Sequence, residues 1–328
     1  MALSHTLLNR LLPRSFHKRD ALFTDTETNA YRVFNGYCEE CPDVSIDRYG
    51  STAVIHWMNK KDMPQKQDLD LLCDLCLAHI PGIETVLFKN RYSPVNDEKK
   101  GIFLRGTHPE KNIREWGIPY QINLLLNKDC GFYLDSSLLR KWLLENAAGK
   151  RVLNTFAYTG SLGDAAEAGG ALSVTQTDLN RNYLHTNHNT QEYLFGDFFH
   201  VSASLRRSGR LFDLILLDPP FFAASGRSAK VDQAHNAVSL INKVRPLAAH
   251  QGKIIAVNNA LFLSGREFLA QLETICGDCL SIGEIIPVPE SFYGYAPIQS
   301  ENLPCDPAPF NHPTKIIILN VLRKDERA

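Results

Sequence analysis

Apolar and polar positions along the chain follow two rhythms, and the change falls near residue 128. Before it, strand-like runs are short and irregularly spaced: YRVF from Tyr31, VSIDRYG from Val44, TAVIHWM from Thr52, ETVLF from Glu84 and IPYQINLLL from Ile118. One helix-period segment, Asp68 to His79, stands among them, and polar stretches such as NKKDMPQKQ and SPVNDEKKG separate the pieces. Leucines at Leu3, Leu7, Leu8, Leu11 and Leu12 predict a further amphipathic helix that ends at Pro13. The pattern predicts a small α+β domain over 1–127.

After residue 128 strands and helices alternate. SSLLRKWLLENA reads as helix, KRVLNTFAY as strand, SLGDAAEAGG as helix, ALSVTQTD as strand and NRNYLHTNHNTQEYL as helix. LFDLILLD, GKIIAVNN, SIGEIIPVP and TKIIILNVL follow as strands, with helices through AKVDQAHNAVSLINKVRPLAA and SGREFLAQLETIC. Apolar strands alternating with helices predict an α/β domain over 128–328, built on a doubly wound, mostly parallel sheet. In such a sheet ligands sit at the carboxyl ends of the strands, near the point where strand order reverses.

Composition narrows the setting. The chain has 328 residues, 44% hydrophobic and 22% charged, with a net charge of −1. No apolar run reaches the ~18 residues a membrane span needs. The N-terminus lacks both an apolar core and a small-residue cleavage site, so a cytoplasmic protein is expected. A dedicated nucleic-acid binder is often strongly basic. Any RNA contact here must come from local patches: Lys99, Lys100, Arg105 and Lys111; Arg206, Arg207 and Arg210; Arg227 and Lys230. Each also reads as a solvated face. Six of the eight cysteines form three C-x-x-C pairs, Cys38/Cys41, Cys73/Cys76 and Cys276/Cys279. The last two pairs lie in or at the end of helix-like segments, where they pack as small hydrophobes, so no metal is expected.

The strand ends carry the candidate chemistry. The first ends NTFAYTGSLG, where Gly160 permits a tight turn and Gly163 permits close helix packing or ligand approach. The second ends at Asp178, about 20 residues on, where an acid accepts from ribose hydroxyls in nucleoside-binding sheets. A glycine turn followed by such an acid fits NAD, FAD or S-adenosylmethionine. The missing third glycine of the dinucleotide fingerprint disfavours the first two. Asp197, in LFGDFFH, suits an adenine amino group with Phe198 over the ring, or a helix N-cap. The third apolar strand runs into LLDPPFF. There Asp218 and the Pro219 carbonyl can accept from a base amino group, Pro220 stiffens the turn, and Phe221 can stack on the base.

Taken together, TNAYRVFNG, VSIDRYG, IREWGIPYQINL, GFYLD, RVLNTFAYTG, TQTDLN and LLDPPFF resemble the bacterial 23S rRNA large-subunit methyltransferase family, with its cytosine-C5 and guanine-N7 members. The resemblance implies a class I, Rossmann-like seven-stranded methyltransferase sheet with a smaller N-terminal α+β domain, S-adenosyl-L-methionine as cofactor and RNA, in particular 23S rRNA, as partner. The family's N-terminal RNA-binding module of the PUA type is expected to be absent, because the chain begins so close to TNAYRVFNG. By resemblance, Tyr133, Asp135, Asn154, Phe156, Tyr158, Thr159 and Gly160 would line the methionine side of the cofactor. Asp178 would hold the ribose, Leu179 would also belong to the cofactor site, and Asp197 and Phe198 would hold the adenine. Asp218, Pro219, Pro220 and Phe221 would face the base.

One departure matters for the chemistry. A cytosine-C5 enzyme needs a thiolate to attack the ring, and the strand after LLDPPFF ends VNNALF, with Asn258 and Asn259 and no cysteine. C5 transfer then requires Cys130 or Cys305 to fold in. Transfer to a base nitrogen, which already carries a lone pair, needs mainly positioning. The readings kept open are an rRNA base N-methyltransferase, a cytosine-C5 enzyme, a small-molecule or protein methyltransferase, and a non-catalytic cofactor-binding module of RNA assembly.

Overall fold

The computed structural model describes residues 4–184, 191–220, 233–296 and 313–324. The chain forms two compact units, residues 1–134 with 289–297, and residues 135–288 with 298–328.

The first unit opens with α1 (His5–His17), capped by Ser4, and the short α2 (Asp20–Phe23). Pro13 lies inside α1 and does not end it. Burial of Leu8, Leu11, Leu12 and Phe16 on the sheet holds the helix together across the missing hydrogen bond. Five strands form the sheet: β1 (Ala30–Asn35), β2 (Val44–Tyr49), β3 (Thr52–Trp57), β4 (Thr85–Asn90) and β5 (Ile102–Arg105), in that spatial order. The β3–β4 pair is parallel, joined through α3 (Lys66–His79); the other pairs are antiparallel. The short α4 (Asn96–Lys100) precedes β5, and β6 (Asn112–Glu115) pairs with β7 (Ile118–Gln121) as a separate hairpin. Cys73 and Cys76 of α3 are buried, as their spacing predicts. The segment around 289–296 belongs to this unit: Arg19, wholly buried, donates to both Glu39 carboxylate oxygens and to the Ser291 carbonyl. Tyr293 of this segment is buried.

The second unit is the alternating half. Its elements are α5 (Ser137–Asn146), β8 (Arg151–Thr155), α6 (Ser161–Ala168), β9 (Ser173–Asp178), β10 (Gln191–Phe195), α7 (Phe198–Arg207), β11 (Phe212–Leu217), α8 (Gln233–Val244), β12 (Ala248–Asn258), α9 (Gly265–Glu273), β13 (Leu280–Ile286) and β14 (Lys315–Val321). The seven strands lie in the order β10-β9-β8-β11-β12-β14-β13. All neighbours are parallel except the β14 pairs. Alternation along β11 shows why the strands read as continuous apolar runs. Leu214 and Leu216 face the core under α5 and α6, while Ile215 and Leu217 face the core under α7, α8 and α9.

Two readings need correction. Residues 191–195, expected as the end of a helix, form the edge strand β10. An edge strand has one neighbour and little burial, so it lacks the apolar run that marks the central strands. Helix α9 stops at Glu273, leaving Cys276 and Cys279 beyond it, half-buried. Among the described residues, no helix is long and apolar enough to cross a membrane and no cluster of three acid, histidine or cysteine side chains is placed to hold a metal.

Candidate active site

Strand order reverses between β8 and β11: the chain leaves β8 towards β9 and β10, then returns to β11 on the other side. Register brings Thr155 level with Leu217 on one side and Thr177 on the other. The carboxyl ends of the three strands therefore form one rim, with the crevice of a doubly wound sheet between β8 and β11.

The turn after β8 is strained. Phe156 and Tyr158 both have left-handed backbone, with φ of 56° and 53°, before Gly160 at 95°. Each non-glycine residue there costs of order 1 kcal/mol or more, and such positions persist only where surrounding contacts impose them. The contacts are visible. Ala157 N donates to Thr177 O at 2.9 Å, and Tyr158 N donates to Asp178 Oδ2 at 2.8 Å. Asp178 Oδ1 accepts from Asn180 N at 2.8 Å. Burial raises the Asp178 carboxyl above its ordinary value, and these backbone donors oppose the shift. Beside it Leu179 stands 70% exposed, an apolar face on the rim.

Beneath the turn runs a chain of buried amides that sequence reasoning missed. Gln191 Nε2 donates to Asp164 Oδ1 at 3.1 Å and Glu167 Oε2 at 2.6 Å. An ionised carboxylate only accepts, so this end dictates the orientation of the amides that follow. Gln176 Nε2 donates to Gln191 Oε1, and Asn154 Nδ2 donates to Gln176 Oε1. Asn154 is thereby held with its Oδ1 buried and, among the described residues, without a hydrogen-bond partner. A buried orphan acceptor at a strand end calls for a donor. The sequence carried half of the signal, Gln176 inside a strand-like segment; Gln191 lay in a stretch that reads as helix.

Gly163 explains itself against this chain. A Cβ there would lie 2.4 Å from Gln176 Cδ, so α6 packs directly on the amide. Gly163→Ala would ordinarily favour a helix by up to ~1 kcal/mol. Here it is expected to lower stability by about 1–3 kcal/mol through overpacking, read by thermal denaturation.

Asp197 is the N-cap of α7: its Oδ1 accepts from Phe199 N at 2.9 Å and His200 N at 3.4 Å. Phe198 is buried and stacked on Phe156, ring centroids 4.8 Å apart. Its ring is a wall of the core, not an open cover for a ligand. The strand-end turn and the helix N-terminus are thus locked together.

Asp218 follows Leu217 at the end of β11, with Pro219 buried and Pro220 exposed. Burial, and then the neighbouring Asp135 carboxylate, push the Asp218 carboxyl up to about 7. Asp135 is held by Thr314, whose hydroxyl donates to its Oδ2. Two acids from distant stretches of chain therefore act on one another, and burial first, then the Asp135 charge, disfavours the Asp218 anion. Phe221 lies outside the described residues. Tyr133 belongs to the first unit, 43% exposed, with its hydroxyl 3.5 Å from Asp129 Oδ2.

A profile described as S-adenosylmethionine-dependent methyltransferase matches residues 76–295. The chain belongs to this family. The methyltransferase is 28% identical over 298 residues to YwbD of Bacillus subtilis, described provisionally as a ribosomal RNA large subunit methyltransferase. The match covers 86% of this chain and 74% of that one. It is 30% identical over 247 residues to ribosomal RNA large subunit methyltransferase K/L of Pseudoalteromonas translucida, covering 71% of this chain but only 35% of the relative. The solved structure of SMU.776 complexed with SAH superposes with a TM-score of 0.81 at 25% identity, covering 98% of this chain and 83% of that one. S-adenosylmethionine is accordingly the cofactor of this methyltransferase, and the seven-stranded sheet is the Rossmann-like one the resemblance implied.

Proposed function

We propose that the protein transfers a methyl group from S-adenosylmethionine to a nitrogen of an rRNA base. The observation that carries this reading is Asp218 at the switch point, its carboxyl held up to about 7 and followed by two prolines. The names of the relatives, which are large-subunit rRNA methyltransferases, supply the substrate class. A substrate of that class puts the reaction in the cytoplasm.

The residues present fit the cofactor. Asn154 Oδ1, buried and without a partner among the described residues, suits the α-ammonium of its methionine end. The Phe156–Gly160 turn, with Tyr158 and Thr159, would wrap that end, and Asp135 and Tyr133 are assigned to it by resemblance. Asp178 retains lone pairs on both oxygens for ribose hydroxyls, and Leu179 offers an apolar face beside it. Asp197 and Phe198 would serve the adenine end by shaping the turn rather than by open stacking. When bound, the cofactor supplies a methyl carbon made electrophilic by its sulfonium.

The chain's part is to bind, orient and take a proton. Asp218 and the Pro219 carbonyl accept from the base N–H groups and aim the nitrogen lone pair at the methyl carbon. With the cofactor bound, that lone pair would form the N–C bond as the C–S bond breaks, the electron pair staying with sulfur. The methylated nitrogen then sheds one proton, and a carboxylate with a pKa near 7 is matched to receive it at neutral pH. Phe221 is assigned to the face of the base by resemblance.

Six of the seven described cysteines are held as thiols, which disfavours cytosine-C5 transfer. Burial pushes the Cys38, Cys41 and Cys130 thiols up to about 11 and raises those of Cys73, Cys76 and Cys276. Cys305 lies outside the described residues.

The test is incubation of the purified protein with labelled S-adenosylmethionine and total RNA from a deletion strain, followed by nucleoside mass spectrometry. A labelled N-methylated purine is expected. Labelled 5-methylcytidine, or no labelled nucleoside with cofactor binding intact, overturns the proposal.

A further inference from the structure

Three parallel strands bring amide side chains together on the face of the sheet under α6. Asn154 of β8 pairs in register with Gln176 of β9, and Gln191 of β10 lies opposite Val174, two residues before Gln176 on the same face. All three amides are buried. Polar groups are costly in such a place unless bonded, and apolar side chains fill the rest of this core. The amide chain nonetheless runs from two acids of α6, Asp164 and Glu167, to the glycine turn after β8. A Cβ on Gly160 would lie 2.9 Å from Gln176 Nε2, so that turn rests on the amide itself.

The orientation at the acid end is fully determined. Gln191 Nε2 donates to Asp164 Oδ1 and Glu167 Oε2, and its Oε1 accepts from Gln176 Nε2 and from the Tyr193 hydroxyl at 3.2 Å. Two acceptor-only carboxylates permit one direction for that amide. Gln176 must then turn its oxygen to Asn154, and Asn154 must turn its own oxygen away from Gln176. Donor and acceptor alternate through the chain, each bond polarising the next. A packing role explains the filled core. It does not explain a chain that ends in an acceptor without a partner among the described residues.

We infer that Gln176 and Gln191 are positioning residues for the cofactor: with Asp164 and Glu167 they hold Asn154 Oδ1 toward its α-ammonium. The inference rests on the assignment of Asn154 to that group above and adds what fixes the direction of the amide. An amide turned the other way presents N–H to a cation, so direction decides between attraction and repulsion.

The test is calorimetric titration with two ligands, SAH and 5′-methylthioadenosine, which lacks the amino-acid end. Gln191→Lys replaces the first amide by a group that only donates. The new ammonium can still pair with Asp164 and Glu167, so the melting temperature of the ligand-free protein should not fall, while its third hydrogen turns Gln176 and then Asn154 around. SAH affinity is expected to drop about tenfold to a hundredfold, as for one lost hydrogen bond to a charged group, with 5′-methylthioadenosine affinity kept within about twofold. Gln191→Met removes the bias without reversing it, leaves both directions open, and should weaken SAH only about twofold. Asp164→Asn combined with Glu167→Lys places the donor on α6 and tests the same reversal if Gln191→Lys fails to fold. Equal losses for both ligands overturn the inference, because the amides then only support the turn. Unchanged SAH affinity in the reversed variants, with a selective loss in Asn154→Ala, overturns the inference and leaves the Asn154 assignment standing. Unchanged SAH affinity in Asn154→Ala removes both.

Discussion

Asp218→Asn is expected to lower methyl transfer by about 10²–10⁴-fold while making the ligand-free protein more stable at pH 8 by about 2–4 kcal/mol. The two effects have one cause. Asp218 must carry its charge to take the proton, yet burial and Asp135 oppose that charge and lift its carboxyl from 3.8 to about 7. Between those values the native state holds a proton that the unfolded chain has lost. Stability therefore falls as pH rises through that window, and the full penalty is present above about 7. Asparagine removes it. The stability gain over wild type should shrink as pH is lowered toward 4, where the native aspartate is neutral and the unfolded chain begins to take up the same proton. Denaturant titrations at pH 8 and pH 4.5 measure the gain, and SAH affinity should change little. For the wild type, kcat/KM should rise with pH through about 7. Asp135→Asn should move that midpoint down by removing the like charge. A variant no more stable than wild type at pH 8 would show that the carboxyl is not held against its charge.

Asp178→Ala is expected to weaken SAH binding by about a hundredfold or more. Two contributions add. The ribose loses a charge-assisted acceptor, worth roughly 1.5–3 kcal/mol. The strained turn also loses its tie, since Tyr158 N and Asn180 N both donate to that carboxylate. With the tie gone, Tyr158 can relax from its left-handed backbone, and the preorganised shape is lost. Asp178→Asn separates the contributions: it keeps one acceptor oxygen but turns an N–H₂ toward a backbone donor. Calorimetric titration with SAH reads both variants. An Asp178→Ala protein that binds SAH as tightly as wild type would exclude Asp178 from the cofactor site.

Read by itself, the sequence determined the alternating α/β half, because central parallel strands are buried on both faces and announce themselves as apolar runs such as Leu214–Leu217. It also determined which residues stand at the strand ends, since Gly160, Asp178 and Asp218 interrupt those runs where chain direction must change. It was silent where a partner lies far along the chain. The meeting of Asp135 with Asp218, the bond from Lys315 Nζ to the Ala260 carbonyl, and the amide chain from Asn154 to Gln191 all depend on strand order and register. It misread β10 because an edge strand carries no buried run, and it ended α1 at Pro13 because local propensity cannot weigh the packing that holds the helix to His17. Periodicity reports which face of an element is buried. Only the tertiary structure decides which polar groups that burial brings together, and therefore which acid is held near neutrality and which way a buried amide faces.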